Sequence, residues 1–359
     1  MPTPPAKKFE KLLSFLVDRY PFRELRALLL EHQVEAATSK AKLFEKFTEL
    51  TGAAADHANE VLSMLCADLV VAGTKDVFVF DLDQEETERI AASLARIEPS
   101  ASAYSPAYPL PLSESELKSR TTDHELVRKI VYPSGDIALV LCAKRSQEER
   151  VVYEYSQVTE AVKAAFEDFD EFIAVRRVDY QIFDTVTLRK SLRRLEVLID
   201  QPSRIRMPTT SGSRCTVVLG RLSTLVDGIA PLYEANSPLN LSACVSALYH
   251  ASTEGRVSQM SFRAPTGSVN RGSVAAQDLR KEKFHAGGFA AVGDVTPYDV
   301  TISWDNLVGS HGEVSLQVGM PMRALSATGG VVDHARIIDA RSDAAIIAVV
   351  NKLVSYSTG

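Results

Sequence analysis

Apolar residues recur at helical spacing through the first hundred positions. Phe9, Leu12, Leu13, Leu16 and Val17 fall at i, i+3, i+4, i+7 and i+8, which predicts an amphipathic helix over 6–20. Pro21 ends it or opens the next helix, since proline is tolerated in a first turn. Leu25, Leu29 and Leu30 line a second helix. Leu43, Phe44, Phe47 and Leu50 line a third, with Val34 between the two. Thr38 or Ser39 can cap that third helix with a side-chain oxygen. Val61, Leu62, Leu65 and Leu69 mark a fourth over 54–69. LVVAG, TKD and VFVFDL then read as strand, turn and strand, and 84–97 returns to helix. Helices closed by a β-hairpin are also the layout of a winged helix.

The pattern changes after residue 97. EPSASAYSPAYPLPLS, residues 98–113, carries Pro99, Pro106, Pro109 and Pro111, which favours an exposed extended linker. VRKIVYP and IALVLCAK around a PSGD turn predict a hairpin, with RVVYEYS as a third strand. Val158, Val162, Phe166 and Phe169 predict a helix over 158–169, and EFIAVRRVDYQIF another strand. Residues 185–200 read as a short helix, with Leu188, Leu192 and Leu195 on one face, running into a strand. Helices follow at 215–233 and 240–252. From 256, RVSQMSFRAP, GSVNRGSVAA, YDVTISW and EVSLQVG alternate as strands, and AAIIAVVNKLVSY closes the chain as a helix. The expected class is α+β: an N-terminal helical domain with a β-hairpin (1–97), a linker (98–113), an α+β domain (114–235), and a β-rich domain with a C-terminal helix (236–359).

Composition narrows the functional classes. The hydrophobic share of 45% beside 24% charged residues is ordinary for a globular protein. No apolar run approaches the ~18 residues of a membrane span, and the N-terminal segment lacks the apolar core of a secretory signal. Cys66, Cys142, Cys215 and Cys244 are far apart in apolar segments, as buried free thiols would be. An intracellular site, cytoplasmic, nucleoid or nuclear, is expected. Net charge is −6, unevenly spread: residues 1–171 carry −10 and residues 172–359 carry +4. Residues 172–224 hold ten basic and four acidic side chains, a balance that suits a polyanion partner or, equally, a solvated face.

The chain carries no CxxC or HExxH of a zinc site, no P-loop, no GxGxxG after a strand and no GxSxG elbow. No cofactor or metal ligand set is expected. Glu116-Leu117-Lys118 imitates a nuclease pair but lies in a helical or linker stretch. In KFHAGG, His285 stands before two glycines, so a ligand site or a plain β-turn fits there. The strongest constellation is basic. Arg176 and Arg177 lie on a strand. Arg189, Lys190, Arg193 and Arg194 share one face of the expected helix, and Arg204 and Arg206 follow in a loop. Guanidinium forks match phosphate oxygens, and such contacts set affinity rather than sequence choice.

Two resemblances add to this reading. PFRELRALLLEHQVEAATSKAKLFEKFTEL, residues 21–50, resembles the SAP-type helix–extended–helix motif of DNA-binding proteins, without the loop glycine often found there. That resemblance implies DNA contacts through Lys40, Lys42 and Lys46; a plain helical bundle fits the same residues. The element order over roughly 8–200 resembles the centromere protein N family, carried by FRELRALLLEHQ with KAKLFEKF and by VVYEYS followed by LRKSLRRLEVLI. It implies a helical bundle of pyrin-like type, a linker, and an α+β region touching DNA and a partner subunit. A prokaryotic antiviral-defence or DNA-maintenance subunit has a compatible build.

The sequence thus leads to a non-catalytic adaptor that contacts DNA or RNA through phosphates and at least one protein partner. A protein-interaction subunit without nucleic acid is the alternative. An enzyme with a site near His285 is the third.

Overall fold

The N-terminal spacings fold as helices. The computed structural model describes residues 5–99, 101–165, 171–201, 211–235, 237–293, 295–305, 307–308, 312–320 and 331–357. Helices α1 (Pro5–Val17), α2 (Phe22–Glu31), α3 (Lys40–Glu49) and α4 (Gly52–Val71) turn their apolar faces inward. Leu25, Leu29, Leu43, Phe47 and Leu62 are removed from water at the centre, and Phe9 meets the Phe47 ring edge-on, with centroids 5.9 Å apart. Ser39 caps α3, its hydroxyl oxygen accepting from the Lys42 N–H at 3.3 Å. The burial of this apolar seam, more than helix propensity, holds such short helices.

The expected hairpin at 69–82 is a helix end followed by one strand. Leu69, Val70 and Val71 remain in α4 because all three are buried on it. Gly73, with φ of 69°, then turns the chain sharply, and a Cβ there would lie 3.0 Å from the Leu69 carbonyl oxygen. A left-handed glycine is the usual helix stop. Strand β1 (Gly73–Asp81) leaves from that turn, so the two strands a winged helix needs are not formed here.

β1 enters the middle of a ten-stranded sheet. The remaining strands are β2 (Glu125–Val131), β3 (Ile137–Glu154), β4 (Glu171–Arg189), β5 (Arg194–Asp200), β6 (Arg256–Arg263), β7 (Val269–Ser273), β8 (Thr296–Asp305), β9 (Glu313–Gly319) and β10 (Ala335–Ala340). Their order is β2-β3-β4-β5-β1-β10-β9-β8-β6-β7, and every neighbouring pair is antiparallel. The class is α+β, with helices leading the chain and a helix, α12 (Asp343–Ser357), closing it. None of the described helices is long and apolar enough to cross a membrane.

Three other expectations change. RVVYEYS is no separate strand: β3 runs unbroken for 18 residues, and β4 pairs with it from Ile137↔Leu188 to Glu154↔Glu171. The short helix expected within 185–200 is a β-hairpin instead, because Arg189 pairs with Arg194 across a turn in which Arg193 has φ of 48°. The Pro-rich stretch is packed. Tyr104 is buried, Tyr108, Leu110 and Leu112 lie against the bundle core, and the Leu112 N–H donates to Gln181 at 3.0 Å. A boundary there would part β1 from the strands on both its sides.

Both faces of the β2–β5 half of the sheet are covered. Along β3, Val140 and Cys142 face the N-terminal bundle. Leu139 and Leu141 face the opposite layer with α5 (Gln84–Arg96), α8 (Ser211–Ser223) and α9 (Ile229–Ala235). α10 (Ser242–His250) and α12 cover the C-terminal strands through Leu248, Ile346 and Val350. All four cysteines are buried free thiols.

Candidate functional site

The expected basic constellation is divided by the hairpin that replaces the helix. On adjoining strands, alternate residues point to opposite faces. Arg189 and Arg194 are therefore driven inward, while Lys190 and Arg193 in the turn are exposed. Arg189 is fully buried. It donates through Nε to Glu196 at 2.9 Å and through both terminal nitrogens to Asp343 at 2.9 and 2.6 Å, with Asp136 at 3.7 Å. Arg194 shares Glu196 at 2.7 Å and reaches Asn351. Burial alone lowers the Arg189 pKa, but Asp343 and Glu196 overcome it and raise the pKa above its usual value. These two arginines are structural ties between sheet and α12, not phosphate ligands, which corrects the expectation for both.

The other expected residues are dispersed. Lys42 is exposed on α3, Lys40 is exposed but donates to the Val17 carbonyl at 3.4 Å, and Lys46 is ion-paired with Glu35. Arg176 is held by Glu149 at 2.5 Å, and Arg177 is exposed on the same strand. Arg204 and Arg206 lie outside the described residues. Glu116 belongs to a capping box with Ser113 at the start of α6 (Glu114–Lys118), and Lys118 pairs with Glu114 at 3.1 Å, so the nuclease-like pair is a helix end. Buried charges also meet at Asp184, which accepts from His124 at 2.8 Å, Arg214 at 3.1 Å and the Asp200 N–H at 2.8 Å. Burial pushes the Asp184 carboxyl up, but these donors together hold it below its usual value. Among the described residues no group of three His, Cys, Asp or Glu could hold a metal ion.

One region has the form of a binding site. KFHAGG is the start of a helix, α11 (Lys283–Val292), and not a turn. The Glu282 carboxylate caps it, accepting from the N–H groups of Phe284 at 3.0 Å and His285 at 2.6 Å. Those bonds hold Glu282 below the usual carboxylate range. His285 is buried, and its Nε2 lies 3.1 Å from the Tyr249 hydroxyl. Burial lowers its pKa. Tyr249, Phe262, His285 and Phe289 form one aromatic cluster, with Phe262 and Phe289 centroids 4.8 Å apart.

Phe262, His285 and Phe289 of that cluster floor a groove of about 620 Å³ between α11 and β7. One wall is the helix face of Phe284, Gly288 and Val292, and the other is Asn270–Ser273 of β7. Phe284 is 88% exposed, and a Cβ added at Gly288 would meet nothing within 4 Å. β7 ends the sheet, so among the described residues no strand bonds to its far edge. An open strand edge beside an apolar wall is the geometry of strand addition by a peptide. Arg271 belongs to β7 but turns to the opposite face, where it donates to Gln259 at 2.6 Å, and Lys283 opens the helix. The i, i+4 spacing of His285 and Phe289 is the sequence signal for the floor, obscured by the two glycines.

No family model matches the chain, and no curated protein matches it significantly.

Proposed function

We propose that this chain is a non-catalytic adaptor whose β7–α11 groove takes an extended segment of a partner protein. The observation that carries this reading is the coincidence of a free strand edge, an aromatic floor and an exposed Phe284 at one groove. A bound segment would add its backbone to β7 and direct alternate side chains under α11. Exposed Lys283 at the helix start favours an acidic residue at that end of a segment with apolar anchors, since Glu282 is already engaged by backbone donors. His285 then serves as part of the floor, held by Tyr249, rather than as a proton-transfer group.

The test is a peptide-display selection on the whole protein, followed by titration of the enriched synthetic peptides. Enrichment of alternating apolar residues flanked by Asp or Glu is expected. Gly288→Leu fills open space and should weaken binding at least tenfold without lowering the melting temperature. Equal binding by that variant excludes the groove as the site.

The exposure of Lys190 and Arg193 together in the β4–β5 turn favours a second contact, with nucleic-acid phosphates. Titration with duplex and single-stranded DNA should give an affinity that falls steeply between 50 and 200 mM salt, roughly as counterion release requires. Lys190→Glu with Arg193→Glu should weaken it further. No binding at low salt removes this contact and leaves the groove reading intact.

A further inference from the structure

β3 and β4 outrun their neighbours. β2 pairs with β3 only as far as Cys142, and β5 pairs with β4 only from Thr185. Among the described residues, the strand pairing of 146–154 is with 171–179 alone, and the two extend roughly 30 Å as a two-stranded ribbon at ~3.4 Å per residue. Isolated ribbons of this kind are marginal in water without a covered apolar face.

The two faces of the ribbon differ. On one, Tyr155 stacks on Phe172 with centroids 6.2 Å apart, and Lys163 from α7 (Glu160–Ala165) lies over the Tyr155 ring, so the tip folds back over that side. On the other, Val152 and Ile173 are directly opposed and Val175 adjoins them, each more than half exposed. Arg150 flanks this apolar strip toward the sheet, loosely paired with Glu148 at 3.6 Å. Glu154 flanks it toward the tip, where it also caps the turn at Tyr155–Gln157.

We propose that this strip docks on the same strip of a second copy of the chain, antiparallel, about a twofold axis through Val152 and Ile173. The charges select that partner. Arg150 and Val175 lie one step from the axis on the sheet side, and Glu154 and Glu171 one step on the tip side, so each copy's Arg150 meets the other's Glu154, with Glu171 alongside it against Val175, twice. A twofold interface must be self-complementary in this way. Crossed ribbons bury on the order of a few hundred Å² per copy, at the weak end of specific interfaces. The dimer is therefore expected to be weak and to depend on concentration.

The experiment is light scattering or sedimentation of the full chain from about 1 to 200 µM. Mass should rise from that of the 39.2 kDa monomer toward twice that value. Arg150→Glu should remain monomeric with unchanged melting temperature, because the site is exposed, and Glu154→Arg should remain monomeric with only the small loss that its cap on Tyr155–Gln157 accounts for. Mixing the two variants should restore a dimer, since both contacts become favourable in the mixed pair alone. Ile173→Asp should stay monomeric in every mixture. A wild type that stays monomeric throughout, or a dimer that survives Ile173→Asp and Arg150→Glu, overturns the proposal. Because the ribbon and the β7–α11 groove are at opposite ends of the sheet order, peptide titration and mass measurement read them separately.

Discussion

Arg189 and Asp343 meet through two parallel hydrogen bonds of 2.9 and 2.6 Å, although 154 residues separate them in the chain. The pair ties the end of β4 to the first turn of α12, where a carboxylate also suits the positive end of the helix. Removing the guanidinium would leave Asp343, Glu196 and Asp136 facing one another with little water. Arg189→Met should therefore lower stability by about 3–5 kcal/mol, the usual effect of orphaning a buried charge. Chemical denaturation measures it, and a loss below about 1 kcal/mol would show that the pair is dispensable.

In the N-terminal bundle, core and surface should separate cleanly. Leu43→Ala and Phe47→Ala each remove a fully buried side chain and should cost about 2–5 kcal/mol. The triple alanine variant of Lys40, Lys42 and Lys46 should change stability by about 0.5 kcal/mol or less, because the residues are exposed or only singly paired. The same denaturation curves decide both. A triple variant as unstable as Phe47→Ala would place the lysines in the fold rather than on a binding surface.

Asp68 supplies a pH signature. Burial in α4 raises its carboxyl to about 6. The folded form then disfavours the charge, so stability is full below the ordinary carboxylate pKa, near 4, and falls as pH rises toward 6. Asp68→Asn should raise stability at pH 8 by about 1–2 kcal/mol and leave it nearly unchanged at pH 4. Melting curves at the two values check the difference, and an equal shift at both would contradict the assignment.

The Pro-rich segment should resist protease. Tyr104 is buried there, and Ser102 donates to Glu125 at 2.6 Å, so the backbone between 101 and 112 is held against β2 and the bundle. Brief chymotrypsin or proteinase K digestion followed by mass mapping should leave 101–112 intact. Early cleavage between Tyr104 and Leu112 would contradict this packing.

The legible parts of the fold were those with a sustained period. Phe9 to Val17, Leu43 to Leu50 and the alternating strands after 256 each present a one-sided pattern, and each forms the expected element. The failures have physical causes. Leu69, Val70 and Val71 are buried on a helix with apolar surroundings, and a short apolar run has no period to distinguish helix from strand. Leu188, Leu192 and Leu195 fit a helical spacing by accident. Leu192 is in fact exposed in the turn, while strand pairing places the other two inside. The basic cluster was visible, but its division into buried and exposed members depends on Glu196 and Asp343, which only the tertiary fold brings beside Arg189. Four prolines suggested an exposed linker because their backbone restriction is read locally, whereas Tyr104 and Leu112 are retained by distant surfaces.

The position of β1 sets a timetable for synthesis. One of its neighbours, β5, follows within the first 200 residues, but the other, β10, is not made until residues 335–340. At roughly 5–20 residues per second, a growing chain carries β1 with one unbonded edge for on the order of ten seconds. The strand is strongly apolar, with Val77, Phe78, Val79 and Phe80 in sequence, and such an edge recruits other chains. Crowded expression should therefore lose this protein to inclusion bodies while it is being translated, and slower translation or lower temperature should recover it. Evolution, for its part, cannot shorten the chain from its C-terminal end past β10 without exposing a strand laid down near its beginning.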